Sequence, residues 1–432
     1  MQSLEIKHKL IESLPVFKFK DWTLYGFCIG LDTIKSLDEL EGSWFAWKRK
    51  VSGEVCLRAD ASASIRCYVT NVENKILISD DLDSLAIRVN SDINKTTKIH
   101  FENTGYLFGH RTIYETIYKI PPLTTLCFRE EEVFIKDHFY DLNKLTFDFA
   151  AFETLFSKLP INNLKVLLMY SGGSDSHALA MLLKSKGIPY EAVFLDDGNR
   201  NGDRKRALKQ AAKSGIKLCV LPINEDGTIE NDIAEIMTYD KHYSKLHFYG
   251  MREVARLYGT ELIIINGQGA DTLFALGPSE MSIQSFLKRV AIHFDGLLYR
   301  IATLVLSVFY KKKMLLKKSN KADLYASFSV FKNYLFSKVD VEMEAWKQFF
   351  KDDRFLHSSK WKQLLSIKRF GFLGGSDNQV VVKSCHYSGI YRVFLPFSSS
   401  IAMRIALGIE DTSRITRITR PKQEIRRYAK IR

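Results

Sequence analysis

Two common phosphate-binding signatures are missing from this chain. Neither G-x-x-x-x-G-K-[ST] nor G-x-G-x-x-G occurs, which excludes the usual P-loop and dinucleotide-fold routes to a nucleotide. The six cysteines (Cys28, Cys56, Cys67, Cys127, Cys219 and Cys385) are scattered and form no C-x-x-C pair. Cys28, Cys127 and Cys219 lie in apolar runs, so they read as buried thiols, and a reducing cytoplasm is expected. Residues Met1 to Lys9 hold no apolar signal core. The most apolar stretch, Ile301 to Tyr310, falls well short of the roughly 20 residues that span a bilayer. Lys311, Lys312, Lys313, Lys317 and Lys318 follow it, which fits a buried helix with a solvated basic end, or a helix docking on a membrane surface or a partner. There is no Pro-rich linker, internal repeat or low-complexity tract.

What is present is ordinary for a globular protein. The chain has 432 residues, 46% hydrophobic and 26% charged, enough for two domains with sizeable cores. Lys and Arg number 63 against 49 acidic residues, a net charge of +14. The basic residues are not striped with aromatics, so polyphosphate handling or an acidic or peptide partner accounts for the charge, and nucleic acid is not expected.

The most informative stretch is Ser171-Gly172-Gly173-Ser174-Asp175-Ser176. An apolar run, Leu164 to Tyr170, precedes it, and a segment with helical spacing, Ala178 to Lys186, follows. Strand, glycine turn and helix start together suit phosphate. Backbone N–H groups point at an anion, the helix dipole adds positive charge, and glycine lets the backbone approach. Asp175 can hold a magnesium ion shared with the phosphates. A plain Gly-Gly turn, with Asp175 favouring the helix start, is the alternative.

Residues 1–143 read as mostly β, with strands at Cys67–Thr70, Lys75–Ser79 and Leu126–Phe128 and a turn at Pro121-Pro122. Helical periodicity over Phe147 to Leu159 opens a second domain, 144–432. There Leu164–Tyr170, Glu191–Leu195, Ile216–Leu221 and Leu262–Ile265 are short apolar strands. The first three alternate with helices at Ala178–Lys186 and Arg204–Ala212, the pattern of a parallel α/β sheet. Long helices are expected over 282–370. In such sheets ligands sit at the carboxyl ends of strands, so the loop at Ser171, the Asp196-Asp197-Gly198 turn and the Asn266-Gly267-Gln268-Gly269-Ala270-Asp271 turn should converge. Asp271 could then be a second carboxylate on the metal, or simply cap the next helix.

The first loop resembles S-G-G-x-D-S, the pyrophosphate loop of N-type ATP pyrophosphatases. The pair of motifs resembles the synthetase domain of asparagine synthetases, β-lactam synthetases and lasso-peptide cyclases, whose second motif reads roughly S-G-E-G-A-D-E-L-F. Asp203, Ala207 and Ala211 fit that family's acidic-then-alanine helix. Leu40 to Ala46, Arg58-Ala59-Asp60 and Thr112 to Pro122 resemble elements of its first domain. Phe394-Leu395-Pro396-Phe397 and Lys422-Gln423-Glu424-Ile425-Arg426 resemble elements near its end. The resemblance implies a degenerate Ntn-hydrolase-like, glutaminase-like β sandwich followed by a HUP-like parallel α/β synthetase domain. It implies ATP and Mg2+ as cofactors and Asp175 and Asp271 as metal ligands. Candidate nucleotide contacts are Ser171, Gly172, Gly173, Asp175, Ser176, Leu195 and Gly267. Lys422 is the candidate for stabilising transition-state charge, against the alternative of a solvated basic tail with Arg414, Arg417, Arg420, Arg426, Arg427 and Lys430.

Two departures bear on substrate. Asparagine synthetases need a cysteine after the initiator methionine; here the residue is Gln2, so the first domain cannot be a glutaminase of that kind. Gln268 stands where asparagine synthetases have glutamate and β-lactam synthetases tyrosine, and a neutral amide is no general base. Gly277-Pro278-Ser279-Glu280 resembles the N-P-S-E stretch of a lasso-peptide cyclase. The resemblance then implies ATP-dependent closure of a macrolactam between the N-terminal amine of a ribosomal precursor peptide and an Asp or Glu side chain, with a leader-removing protease and an exporter as candidate partners. A small-molecule amide synthetase, a non-catalytic peptide-binding homologue and an RNA-thiolating pyrophosphatase are the other readings.

Overall fold

The computed structural model describes residues 3–6, 9–73, 75–104, 107, 109–130, 132–146, 149–198, 201–236, 245–274, 377–409 and 422–430, with scattered positions between 283 and 369. Gln2, the Gly277–Glu280 stretch, Lys311 to Lys318, Arg414, Arg417 and Arg420 lie outside the described residues, as does most of the segment expected to hold long helices. Among the described residues no helix is long and apolar enough to cross a membrane.

Alternating, β-branched and aromatic residues in the first third form ten strands. They are β1 (Ser3–Ile6), β2 (Val16–Phe19), β3 (Trp22–Ile29), β4 (Glu41–Arg49), β5 (Val55–Ala59), β6 (Tyr68–Val72), β7 (Lys75–Ser79), β8 (Tyr118–Lys119), β9 (Thr124–Arg129) and β10 (Glu132–Asp137). Six of them build an antiparallel sheet in the order β10-β9-β5-β4-β3-β2. The other four form a sheet in the order β1-β7-β6-β8, in which β1 runs parallel to β7. Between strands lie the helices α1 (Lys9–Glu12), α2 (Leu82–Val89) and α3 (Lys95–Thr104). The Asp81 carboxylate caps α2 by accepting from the N–H groups of Asp83 and Ser84, and Asn90, in the left-handed region, ends it.

One expectation fails here. Cys56 and Cys127 are direct partners across β5 and β9, their Cα atoms are 4.1 Å apart, and they form a disulfide. A sequence pattern cannot show this, because the residues are 71 positions apart and meet only through strand register. Cys28 and Cys219 are half-buried and, with buried Cys67 and Cys385, remain thiols. The case for a reducing compartment loses the support it drew from unpaired cysteines.

The later part alternates helix and strand: α4 (Phe149–Phe156), β11 (Lys165–Met169), α5 (Ser174–Ser185), β12 (Glu191–Asp196), α6 (Asn201–Lys213), β13 (Leu218–Pro222), α7 (Glu230–Ile236), α8 (Lys245–Tyr258), β14 (Leu262–Ile265) and α9 (Ala270–Phe274). Then come α10 (Asp377–Tyr387), β15 (Arg392–Phe394), α11 (Ser400–Leu407) and α12 (Gln423–Tyr428). The five strands form a wholly parallel sheet in the order β13-β12-β11-β14-β15. The third strand begins at Leu218, not Ile216, and α5 starts at Ser174, four residues earlier than apolar spacing predicts. The polar residues of the loop motif thus occupy the first helical turn. β15 was not legible as a strand: three residues carry too little periodicity, and pairing with β14 defines it.

Strand alternation divides the core. Val166, Leu168, Ile263 and Ile265 face the cluster formed with α5, α9 and α11. Leu167, Val193, Leu262 and Ile264 face the other way, into a cluster shared with Phe45, Val55, Leu57 and Phe128 of the antiparallel sheet. Full burial of each such side chain contributes about 1.5–3 kcal/mol. Polar contacts also tie the first part of the chain to the later one. Ser43 Oγ donates to the Val393 carbonyl (2.8 Å), and Gln379 Nε2 to the Ala63 carbonyl (2.7 Å). The Glu41 carboxylate accepts from the N–H groups of Ser400 (2.9 Å) and Ile401 (2.8 Å) at the start of α11. The buried Arg369 guanidinium clamps both oxygens of Asp137 at 2.6 and 2.7 Å.

Candidate active site

The strand order places a topological switch point between β11 and β14. The chain moves outward from β11 to β12 and β13, then restarts on the other side. A crevice opens at the carboxyl ends of strands where this happens. The two motifs leave those two strands, so the sheet topology itself brings them together.

Leaving β11, the chain turns at Gly172, whose φ is +69°. A Cβ there would stand 2.6 Å from the Ala207 Cα and 2.9 Å from its N. Glycine is therefore required twice, by conformation and by contact. It also explains the alanines of α6: Ala207 and Ala211 are buried where the helix rests on the loop. The Ser176 hydroxyl is turned inward, accepting from the Ser171 N–H (3.2 Å) and donating to the Gly173 carbonyl (3.3 Å). Behind the loop, Tyr170 Oη and His177 Nδ1 lie 2.9 Å apart, and His177 Nε2 lies 3.2 Å from Gln210 and 3.3 Å from Ser214. Burial lowers the His177 pKa, which suits a neutral ring serving as a strut between α5 and α6.

Leaving β14, the Asn266 N–H donates to the Phe394 carbonyl and the Asn266 side chain accepts from the Gln268 N–H (3.0 Å). Gly269 has φ +92°, and a Cβ on it would lie 1.9 Å from Ser398 Oγ and 2.9 Å from the Phe397 carbonyl oxygen. Ser398 Oγ donates to the Gln268 carbonyl (3.2 Å) and accepts from Asn378 Nδ2 (3.1 Å). The Phe394–Phe397 element is thus the platform under the second motif. A Cβ on Gly267 would sit 3.3 Å from the Asp175 Cβ and the Ser176 N, so the two motifs touch.

A third element completes the site. Lys422 immediately precedes α12, with left-handed φ +57°, and α12 packs on α5 through buried Ile425 and Ala429. Lys422 is only 6% exposed, which rules out the solvated-tail reading for this residue. Its Nζ lies 2.6 Å from Asp175 Oδ2 and 2.8 Å from Asp271 Oδ1. Burial works against the lysine charge, but the two carboxylates outweigh it and hold the Lys422 pKa above its ordinary value. Burial pushes Asp175 up, the ammonium pulls it down, and Asp271 pushes it up again, with a net rise. The contact lengths are those of an ammonium between two carboxylates.

The two aspartates face a cavity of about 500 Å3, within the range of small-molecule sites. Its polar end holds Ser171, Asp175, Gln268 and Asp271, with Gly267 and Leu195 beside them. Its apolar wall holds Val193, Leu246, Met251 and Val381. Ser176 also lines it, though its hydroxyl is engaged within the loop. Sequence reasoning missed α8 and α10, which supply Leu246, His247, Met251 and Val381. Their only signal was amphipathic spacing, which shows a helix but not what it borders.

Two carboxylate oxygens from separate strand ends converge on one cation-sized position, as a hard divalent ion shared with phosphates requires. The donor set fits magnesium. The Glu54, Cys56 and Cys127 cluster does not, since its sulfurs are bonded to each other.

No family model matches the chain, and no curated protein does. Among solved structures, it is similar to a predicted subunit of tRNA methyltransferase from Methanocaldococcus jannaschii, at 20% identity over 32% of this chain and 74% of that one, with a TM-score of 0.20. It is also similar to an NH3-dependent NAD synthetase from Campylobacter jejuni, at 14% identity over 48% of this chain and 83% of that one, again with a TM-score of 0.20. Likeness at this level leaves fold and function to the geometry of the chain itself.

Proposed function

We propose that the chain is an ATP-dependent amide ligase of the asparagine synthetase-like kind, forming AMP and pyrophosphate. One observation carries this reading: Asp175, Asp271 and Lys422, drawn from three separate stretches of sequence, meet beside a glycine-turned helix start, and the two aspartates line one cavity. Residues 1–143 are taken as a degenerate glutaminase-like domain and 144–432 as the adenylating domain.

In this scheme a substrate carboxylate oxygen attacks the α-phosphorus of ATP. The bond from that phosphorus to the bridging oxygen of the β-phosphate breaks, and pyrophosphate leaves with the electron pair. An amine then attacks the acyl carbon, the bond to AMP breaks, and a proton is released. The Ser171–Gly173 backbone and the α5 start hold the phosphates, and the Val193–Met251 wall packs against the base. Magnesium, held by Asp175 and Asp271, would neutralise charge on the departing pyrophosphate. Lys422 stabilises the charge that builds on the reacting phosphoryl and acyl oxygens. Gln268 orients the amine or acyl group without taking its proton.

The finer reading is macrolactam closure on a ribosomal precursor peptide, with a leader-removing protease and an exporter as further partners. It is supported by Gln268, a neutral amide where an asparagine synthetase has an acidic group. An enclosed peptide would hold its own amine near the acyl carbon. The test is incubation with ATP, Mg2+ and a linear core peptide bearing a free amino terminus and a downstream Asp or Glu. Stoichiometric AMP and a product lighter by one water are expected. AMP only with a small carboxylic acid and free ammonia would move the reading to a metabolite, and no AMP with any acceptor would overturn the ligase.

A further inference from the structure

The Lys422 ammonium occupies the same position that a divalent cation needs. We propose that the lysine and the metal are alternative occupants of the space between Asp175 and Asp271. The nucleotide-free protein then carries its own cation and admits the metal only together with nucleotide. This rests on the metal-site reading of the two aspartates, but not on amide chemistry.

Three observations lead there. First, the ammonium contacts one oxygen of each carboxylate, at 2.6 and 2.8 Å, so it lies between them rather than beside either. A magnesium ion takes carboxylate oxygens at about 2.0–2.1 Å, and a dication at that distance from the same oxygens would overlap and repel the ammonium. Second, the lysine backbone is anchored at the start of α12, whose Ile425 and Ala429 are buried, while its side chain has four flexible carbons. The ammonium can swing while the main chain stays. Third, the two aspartates differ. Both line the cavity, but the Asp175 side chain is 21% exposed and that of Asp271 55%, so Asp271 is the more accessible to an arriving cation.

The charges make the exchange conditional. Two carboxylates and one ammonium leave one negative charge. A metal arriving alone must displace the ammonium toward a cavity whose described lining offers no anion besides the two aspartates. A metal arriving with a polyphosphate brings that anion, and the lysine then lands on phosphoryl oxygens, where the proposed chemistry needs it. One residue thereby keeps the aspartates paired at rest and delivers charge to the reaction only when substrate is in place.

The test uses Mn2+ as probe, with its binding read by electron paramagnetic resonance on the full chain. Lys422→Met should bind Mn2+ without nucleotide about tenfold or more tightly than wild type, because the competing occupant is gone. Lys422→Arg, which keeps a cation in place, should stay as weak as wild type. Adding Asp271→Asn to Lys422→Met should abolish the gain. Equal Mn2+ affinity in wild type and Lys422→Met overturns the proposal, as does tight binding by Lys422→Arg. If Lys422→Met fails to fold alone, Mn2+ should restore its folding, and a chain still unfolded at saturating Mn2+ overturns it too. Mn2+ behaviour as expected with no AMP from any acceptor would remove the ligase reading and leave this one standing; AMP formation with equal Mn2+ affinities would do the reverse.

Discussion

The two largest sheets treat their carboxylates in opposite ways. In the antiparallel region, Asp60 is saturated. It accepts from the N–H groups of Trp44, Ser62 and Ser64 and from both serine hydroxyls. Glu41 is likewise closed by two backbone N–H groups across to α11. In the parallel region, Asp175 and Asp271 stand at strand ends over a cavity, and one lysine bridges them. A saturated carboxylate holds structure in place, whereas one shared with a mobile cation beside an open volume can exchange that cation for a ligand. Arg58-Ala59-Asp60 serves here as architecture: Arg58 pairs with Asp38, and Asp60 organises its own turn.

The contrast can be broken most directly at the aspartates. Asp175→Asn should lower pyrophosphate release by about 10^2–10^3-fold or more with the fold intact, since it removes a proposed metal ligand and the partner of Lys422. Thermal melting beside the pyrophosphate assay separates this from unfolding. Asp60→Asn should do the converse, costing about 3 kcal/mol of stability by turning an amide N–H toward donors, while turnover below the melting temperature stays near wild type. A well-folded Asp60→Asn protein without turnover would erase the distinction drawn above.

Gly172→Ala sharpens the comparison from the backbone side. Positive φ and the approach to Ala207 should together cost about 2–3 kcal/mol and displace the loop, so stability in urea and nucleotide affinity should fall together. The smallest effect concerns pH. Burial lowers His110, His138 and His386 to about 4 from an ordinary 6.5. The unfolded chain takes up these protons first, so the stability they contribute is full above pH 6.5 and is lost as pH falls toward 4. His386 alone should account for up to about 3 kcal/mol. Urea midpoints at pH 7.5 and 5 should differ, and His386→Gln should narrow the gap. Two of the three imidazoles lie in the first region, so a pH profile unmoved in a His110→Gln, His138→Gln variant would place the sensitivity elsewhere.

The sequence by itself determined the parallel sheet, the two glycine turns and the residue types at their ends. These are local properties: strand and helix periods, the backbone freedom of glycine, and the short spacing between a strand and the side chains after it. Ser171 to Ser176 and Asn266 to Asp271 were readable for that reason. Tertiary structure alone decided the rest. It joined Cys56 to Cys127 through register, set the three-residue β15 beside β14, laid the antiparallel sheet on one face of the parallel one, and brought α8 and α10 to the cavity wall. It also decided the partners of Lys422: the resemblance marks this residue as a candidate, but not that it meets Asp175, 247 residues away, and Asp271. Charge and spacing in a sequence do not record which carboxylates a lysine will meet, because that is settled by where α12 docks on α5 once the core has formed.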